Sequence, residues 1–320
     1  LKRVVFDTDI GIDDAMALLF LHYAPGVRLE AITTVSGNAS IGDTTRNALY
    51  VKERFAIDAP VFRGASGPVG PALGSGYPDF IHGSNGLGNI PLPEPGIGAE
   101  LTPAPEAIVE LAERYPGELS LVAVGRLTNL SKALDLSPRL PTLLKEIVIM
   151  GGVFGYRGNR GNVSPVAEAN IAGDALAADR VLGTGIPITL VGLDVTHETT
   201  MDEAFIEALV ACAGDAGAFI RDITRFYFDF YESIDGERRC PIHDSSAVAC
   251  LLYPELYRRV SGPVRVVTTG IATGQSILGE QPDSYAIDAW KDRPSCQVCS
   301  DVDAEEVRQR YLETMALAGR

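Results

Sequence analysis

The chain has 320 residues, 46% hydrophobic and 22% charged, the composition of a globular protein rather than of a disordered or fibrous one. A formal net charge of −15 with no Lys/Arg cluster excludes broad attraction to nucleic acid or to an anionic membrane, so the expected partner is a small neutral molecule or a cation. Five cysteines do not make a secreted disulfide framework, no apolar run reaches the roughly 18 residues of a membrane span, and no signal-peptide pattern precedes the first strand, so the expected setting is cytoplasmic.

In chain order, short runs rich in Val, Ile and Thr predict strands near residues 3–8, 28–35, 118–124, 145–150 and 186–192. Helical periodicity predicts helices between them, near 13–24, 42–55, 105–115, 128–135 and 174–183. Gly and Pro crowd residues 64–105, which read as a long irregular excursion of the functional or mobile kind. From Met201 to Tyr231 the period is helical, ending in Phe226, Tyr227, Phe228, Phe230 and Tyr231, and another helix follows Asp244. Residues 260–287 predict a small group of strands before a closing helix near 303–317. The class is α/β: a mostly parallel, open, Rossmann-like sheet with helices on both faces and a small additional group of C-terminal strands, with residues 1–320 expected to form a single domain.

Chemistry concentrates where the first strand ends. Asp7, Asp9, Asp13 and Asp14 place four carboxylates within eight residues, and such a group repels itself unless a cation sits among them. Hard oxygen ligands point to Ca²⁺ or Mg²⁺ rather than zinc. Helix capping accounts for Asp13 and Asp14 but leaves Asp7 and Asp9 unexplained. Gly37-Asn38, Gly125 and Gly151-Gly152 follow other predicted strands at the same edge, where open α/β sheets bind ligands.

Asn162, Glu168 and Asn170 supply hydrogen-bonding side chains suited to a polyhydroxylated ligand such as a sugar. His243-Asp244 precedes an apolar helix, so Asp244 is either a plain cap or a ligand. His82 lies in Gly-rich sequence that reads as flexible, where a core role is not expected, whereas His22 and His197 read as structural. Cys296 and Cys299 form a C-x-x-C with no second pair to complete a zinc site, and read as core or solvent-side thiols.

With these residues assembled, the chain resembles the inosine-uridine preferring nucleoside hydrolase family. Asp7-Thr8-Asp9-Ile10-Gly11-Ile12-Asp13-Asp14-Ala15-Met16-Ala17-Leu18 is similar to that family's D-x-D-x-G-x-D-D-A-x-A-L signature without a mismatch. Later blocks follow in the right order: Ala31 to Asn38, Leu127-Thr128-Asn129, Met150-Gly151-Gly152, Ala167-Glu168-Ala169-Asn170 and His243-Asp244. The resemblance implies a calcium-dependent ribonucleoside hydrolase of nucleoside salvage, commonly a homo-oligomer such as a dimer or tetramer. It implies that Asp9, Asp14, Asp244 and the backbone carbonyl of Val124 hold Ca²⁺, that Asp9 is also the general base, and that Asp13, Asn38, Asn162, Glu168 and Asn170 bind the ribose. His243 falls where inosine-uridine members carry a histidine near the leaving base, and Tyr227 and Tyr231 fall where similar enzymes present tyrosines to it.

N-glycosidic hydrolysis needs aimed water, stabilisation of an oxocarbenium-like ribosyl group and help for the departing base. His243 is the leading acid, with ring protonation through solvent as its competitor and His82 as a further candidate on the base side. One rival is a haloacid-dehalogenase-like Mg²⁺ phosphohydrolase, which Asp7-Thr8-Asp9 fits, although Gly11 stands where that class expects Thr or Val. The other is a non-catalytic calcium- or nucleoside-binding protein of the same fold.

Overall fold

The computed structural model describes residues 1–71, 74 and 76–319. β1 (Lys2–Thr8) leads into α1 (Ile12–Tyr23), β2 (Val27–Thr34) into α2 (Ile41–Arg54), and the short β3 (Val61–Arg63) into α3 (Asp79–His82) and α4 (Ala104–Arg114). β4 (Leu119–Ala123) precedes α5 (Thr128–Leu136) and α6 (Leu140–Leu143), and β5 (Leu144–Met150) precedes α7 (Ala169–Gly173) and α8 (Ala175–Leu182). Then come β6 (Ile188–Val191), α9 (Leu193–Thr196), β7 (Thr200–Asp202), α10 (Glu203–Asp235), β8 (Arg239–Pro241) and α11 (His243–Leu252). β9 (Tyr257–Val266), β10 (Ser276–Leu278), β11 (Ser295–Val302) and α12 (Ala304–Met315) follow.

Nine strands form one sheet in the order β10-β9-β11-β6-β5-β4-β1-β2-β3, and β7 pairs with β8 in a separate ribbon. Every neighbouring pair from β11 to β3 is parallel. β9 and β10 add an antiparallel edge. The run β3-β2-β1-β4-β5-β6 is the doubly wound order, which reverses direction between β1 and β4 and opens a crevice beyond their carboxyl ends.

Side-chain alternation builds the two layers. Val4, Phe6, Val122 and Val124 bury into one core with residues of α1, α2, α10, α11 and α12. Val5, Leu121 and Ala123 bury into the other with residues of α4, α5, α6 and α8. Burial on both faces is why these strands read as nearly continuous apolar runs. α10 is broken at Gly214, whose φ of 57° and ψ of −127° suit glycine alone, so its two halves run in different directions.

The structure differs from expectation in particular places. The expected C-terminal strands are present, with β9 and β10 as the antiparallel edge of the main sheet, but β11 lies at 295–302, beyond the expected window of 260–287. Gln297, Ser300 and Asp301 dilute its β pattern. β3 has three residues, too few to announce itself. Cys296 and Cys299 point into opposite cores, so the C-x-x-C is no redox pair; the Cys299 sulfur lies 3.9 Å from that of Cys250.

Between β3 and α4, α3 is the helix among the described residues; Ala72, Leu73 and Ser75 lie outside them. His82, read as part of a flexible stretch, is buried at the end of α3. Among the described residues no helix is long and apolar enough to cross a membrane.

Candidate active site

The crevice between β1 and β4 gathers the acidic signature. Asp9, Asp13, Asp14 and Asp244 are all buried, and carboxylate oxygens of Asp13, Asp14 and Asp244 lie within 4.8 Å of one another. β1 delivers Asp9, the first turn of α1 delivers Asp13 and Asp14, and the first turn of α11 delivers Asp244. Asp244 is not the N-cap, since α11 begins one residue earlier and Ile242 occupies that position.

Asp14 is the anchored member. Its Oδ1 accepts from the Thr8 hydroxyl (2.5 Å) and the Asp9 N–H (3.2 Å), and its Oδ2 from the Gly11 N–H (2.8 Å) and the Asn38 side-chain amide (2.9 Å). It therefore does brace the start of α1, as the capping alternative required, while also facing the other acids. Asp9 is held only through Oδ2, which accepts the Asn38 N–H at 2.7 Å. Its Oδ1 is buried without a hydrogen-bond partner. Gly125 makes room for that oxygen, since a Cβ there would stand 2.8 Å from it.

Burial among like charges sets the electrostatics. Burial first and Asp14 second push the Asp13 carboxyl up to about 8. Burial and then Asp14 raise Asp9 far above the ordinary carboxylate range, against a weaker pull from Arg126. Asp244 is raised by burial and then by Asp13, Asp14 and Asp9. Each shift is a cost of ionisation that a divalent cation would remove.

Over this cluster lie two histidines and two tyrosines. The His82 Nδ1 accepts the Ile12 N–H at 3.2 Å, which assigns the neutral ring's proton to Nε2, and burial pushes the ring down to about 4. His82 stacks on Tyr227 with centroids 5.7 Å apart. His243 is held from both sides, by the Thr196 hydroxyl at Nδ1 (2.7 Å) and the Tyr231 hydroxyl at Nε2 (3.0 Å). Burial, then His197 and His82, lower the His243 ring well below the ordinary histidine value. The Tyr227 and Tyr231 hydroxyls are 3.5 Å apart.

The remaining expected residues sit on the β4–β5 side. The Asn170 side-chain amide donates to the Val124 carbonyl (2.8 Å) and the Met150 carbonyl (3.2 Å), which ties it to the cluster. Buried Glu168 accepts the N–H groups of Gly152, Asn170 and Ile171, so its carboxylate braces the start of α7. Asn162 is exposed and accepts the Ala169 N–H at 3.0 Å, with no contact to the carboxylates. Sequence reasoning passed over Thr196 and Arg126, and read His197, whose ring lies 5.5 Å from that of His243, as structural. Thr196 sits just beyond the carboxyl end of β6, the same edge that flagged Asn38 and Gly125, and that position was the available signal.

The comparisons with known proteins agree with this geometry. The family model described as inosine-uridine preferring nucleoside hydrolase matches residues 4–309. Uridine nucleosidase 1 of Arabidopsis thaliana is 37% identical over 311 residues, covering 96% of this chain and 90% of the relative. The non-specific ribonucleoside hydrolase RihC of Escherichia coli O1:K1 / APEC is 34% identical over 316 residues, covering 98% of both chains. The solved plant nucleoside hydrolase PpNRh1 superimposes with a TM-score of 0.94 at 32% identity, covering 98% of this chain and 99% of that one. With a match across nearly its whole length and the signature acids gathered at the switch point of the sheet, the chain belongs to the inosine-uridine preferring nucleoside hydrolase family.

Proposed function

We propose that the chain hydrolyses the N-glycosidic bond of ribonucleosides to ribose and free base, with Asp9 accepting the proton of the attacking water and His243 serving the departing base. The observation that carries this reading is the Asp9 Oδ1, a buried carboxylate oxygen with no partner, beside three further buried acids. A base needs a free lone pair in a closed site, and Asp9 Oδ1 is the carboxylate oxygen of the cluster left without a protein partner.

The family is metal-dependent, and the residues present fit a hard divalent cation. We assign calcium to Asp9, Asp14, Asp244 and the carbonyl of Val124, an all-oxygen set whose like charges are otherwise unbalanced. The Val124 carbonyl keeps a second lone pair beyond the one used by Asn170. When bound, calcium supplies positive charge and orientation to water and the ribose diol.

The protein's own groups do the rest. The Asn38 N–H holds Asp9 through Oδ2 and leaves Oδ1 without a protein partner. Asp13, Asn38, Asn162, Glu168 and Asn170 are assigned to the ribose, with Glu168 and Asn162 already committed to backbone donors and so acting through local rearrangement or indirectly. Tyr227, Tyr231 and His82 frame the base. Because burial keeps His243 neutral, it serves as a relay: as Tyr231 gives its hydroxyl proton to the departing base, the Nε2 proton of His243 moves to Tyr231 and Nδ1 takes up the Thr196 hydroxyl proton, which solvent water replaces. In this reading residues 1–320 act as one domain, in cytoplasmic nucleoside salvage, as a dimer or tetramer.

The test is release of free base from uridine, inosine, cytidine, adenosine and guanosine, after EDTA and after return of Ca²⁺ or Mg²⁺. Release that EDTA abolishes and Ca²⁺ restores is expected. No release despite bound ribose would leave a binding protein, and hydrolysis of p-nitrophenyl phosphate with Mg²⁺ would revive the phosphohydrolase, which the family match disfavours.

A further inference from the structure

The block Leu127-Thr128-Asn129 has no part in the chemistry above, yet Asn129 is completely buried and all of its principal hydrogen-bonding capacity is used. Its Oδ1 accepts the Ala65 N–H at 2.9 Å, and its Nδ2 donates to the Asp7 carboxylate (2.8 Å) and the Thr34 carbonyl (2.9 Å). These partners belong to β1, to the end of β2 and to the segment after β3, three adjacent chain segments at the carboxyl edge of the sheet. The fit is close: a Cβ on Gly64 would lie 2.2 Å from the Thr34 carbonyl oxygen and 2.3 Å from the Asn129 Oδ1.

What lies just beyond each partner gives the arrangement its meaning. Asp9 follows Asp7 one residue past the end of β1, and Asn38 follows Thr34 out of β2. From the other direction, Val124 and Gly125 lead into the turn that carries Asn129. The segment 124–129 therefore holds β1 at two points, with Gly125 against the Asp9 carboxylate and Asn129 on Asp7. Asp7 is also bound by the Thr33 hydroxyl at 2.6 Å, so its Oδ1 is a shared acceptor at the centre of the brace.

We propose that Asn129 is a positioning residue of the cation site, fixing the Asp9 carboxylate relative to the Val124 carbonyl by clamping the ends of β1, β2 and β3 to the start of α5. The inference rests on the metal assignment above. A merely structural amide would contribute to stability and leave the cation affinity of the folded chain unchanged.

The test uses the full chain, with Ca²⁺ alone as the calorimetric probe and thermal melting in parallel. Asn129→Asp keeps the size and the acceptor for Ala65 but loses both donated bonds and sets a second carboxylate against Asp7. It is expected to lower Ca²⁺ affinity on the order of 10–100-fold, the usual effect of losing an orienting partner, and to lower kcat at saturating Ca²⁺ more than it raises KM. In the double variant Asp7→Asn/Asn129→Asp the new amide at position 7 can donate to the carboxylate at 129, and most of the affinity should return.

An Asn129→Asp chain that melts earlier yet binds Ca²⁺ and turns over as wild type does would overturn the inference. Should that variant not fold, Asn129→Ser, which keeps one hydroxyl donor, is measured in the same way. A folded Asn129→Ser with wild-type affinity counts against the inference, and a reduced one supports it. If the wild-type chain itself takes up no Ca²⁺, the metal assignment fails and this inference falls with it, an outcome distinct from wild-type affinity in the variant.

Discussion

The two ends of the central sheet handle charge in opposite ways. At the amino end, Arg3 and Arg28 both pair with Glu30, Arg3 also meets Glu118 at 3.5 Å, and the Arg3 guanidinium lies 4.1 Å from the Tyr115 ring centroid. A cavity of about 540 Å³ opens there, lined in part by His22, Arg28, Glu30, Asp58, Arg114 and Tyr115. At the carboxyl end four acids are buried together, and oxygens of Asp9 and of neighbouring Asp7 have no partner. Balanced charges in contact with water need nothing further; like charges sealed from water require a ligand. The unbalanced charge, rather than the cavity at the amino end, marks the proposed site.

Removing acids from the carboxyl end should produce the largest effects. Asp9→Asn keeps the shape but not the proton acceptor, so turnover is expected to drop by about 10²–10⁴-fold with calcium binding still measurable. Asp14→Ala and Asp244→Ala should instead lower calcium affinity, read by calorimetry. Near-normal turnover at saturating substrate in Asp9→Asn would erase the contrast between the ends.

His243 sharpens the contrast within the site itself. His243→Ala should slow uridine and inosine by roughly 10²-fold. An activated p-nitrophenyl riboside, whose leaving group needs no proton, should be cleaved within a few-fold of the wild-type rate. Equal losses on both substrates would mean that His243 packs or orients, through Thr196 and Tyr231, rather than serving the leaving group.

A smaller effect should appear in stability against pH. The Asp13 carboxyl is pushed up to about 8 from 3.8, so the cation-free fold retains a proton that the unfolded chain has lost. That contribution is complete below the ordinary value and fades as pH rises towards 8. His82, pushed down to about 4 from 6.5, acts in the opposite sense, its contribution being present above 6.5 and lost as pH falls. Between pH 6.5 and 8 the acids therefore dominate. Melting temperatures in EDTA should fall across that interval, and the gain on adding Ca²⁺ should widen. A gain independent of pH would dissociate the cation from these carboxylates.

The smallest effect belongs to the amino end. Arg28 is 59% exposed, and Arg28→Ala should change stability by less than about 1 kcal/mol and leave turnover untouched. A loss of activity there would show that the two ends are coupled.

Much of the fold was legible because strands buried on both faces leave unbroken apolar runs, and the helices between them keep their period. The acidic cluster was legible because Asp7 to Asp14 are neighbours in sequence. Contacts between distant segments were not. Asn129 meets Asp7 across 122 residues and Thr196 meets His243 across 47, and no local pattern encodes either approach. β11 escaped because Gln297, Ser300 and Asp301 interrupt its apolar pattern, and His82 was misread because Gly-rich sequence signals turns without revealing that the turn closes over a buried ring.

The break in α10 gives Tyr227 and Tyr231, the tyrosines assigned above to the base, a mechanical dependence on a distant point. Seventeen residues separate Gly214 from Tyr231, and at about 1.5 Å per residue the outer half of the helix is an arm of roughly 25 Å. A change of about 10° at the joint would sweep the Tyr231 hydroxyl through ~4 Å, more than the whole length of its hydrogen bond to His243. The geometry at Gly214 thus sets where both rings lie, and a search for altered base preference confined to residues touching the base would miss that position.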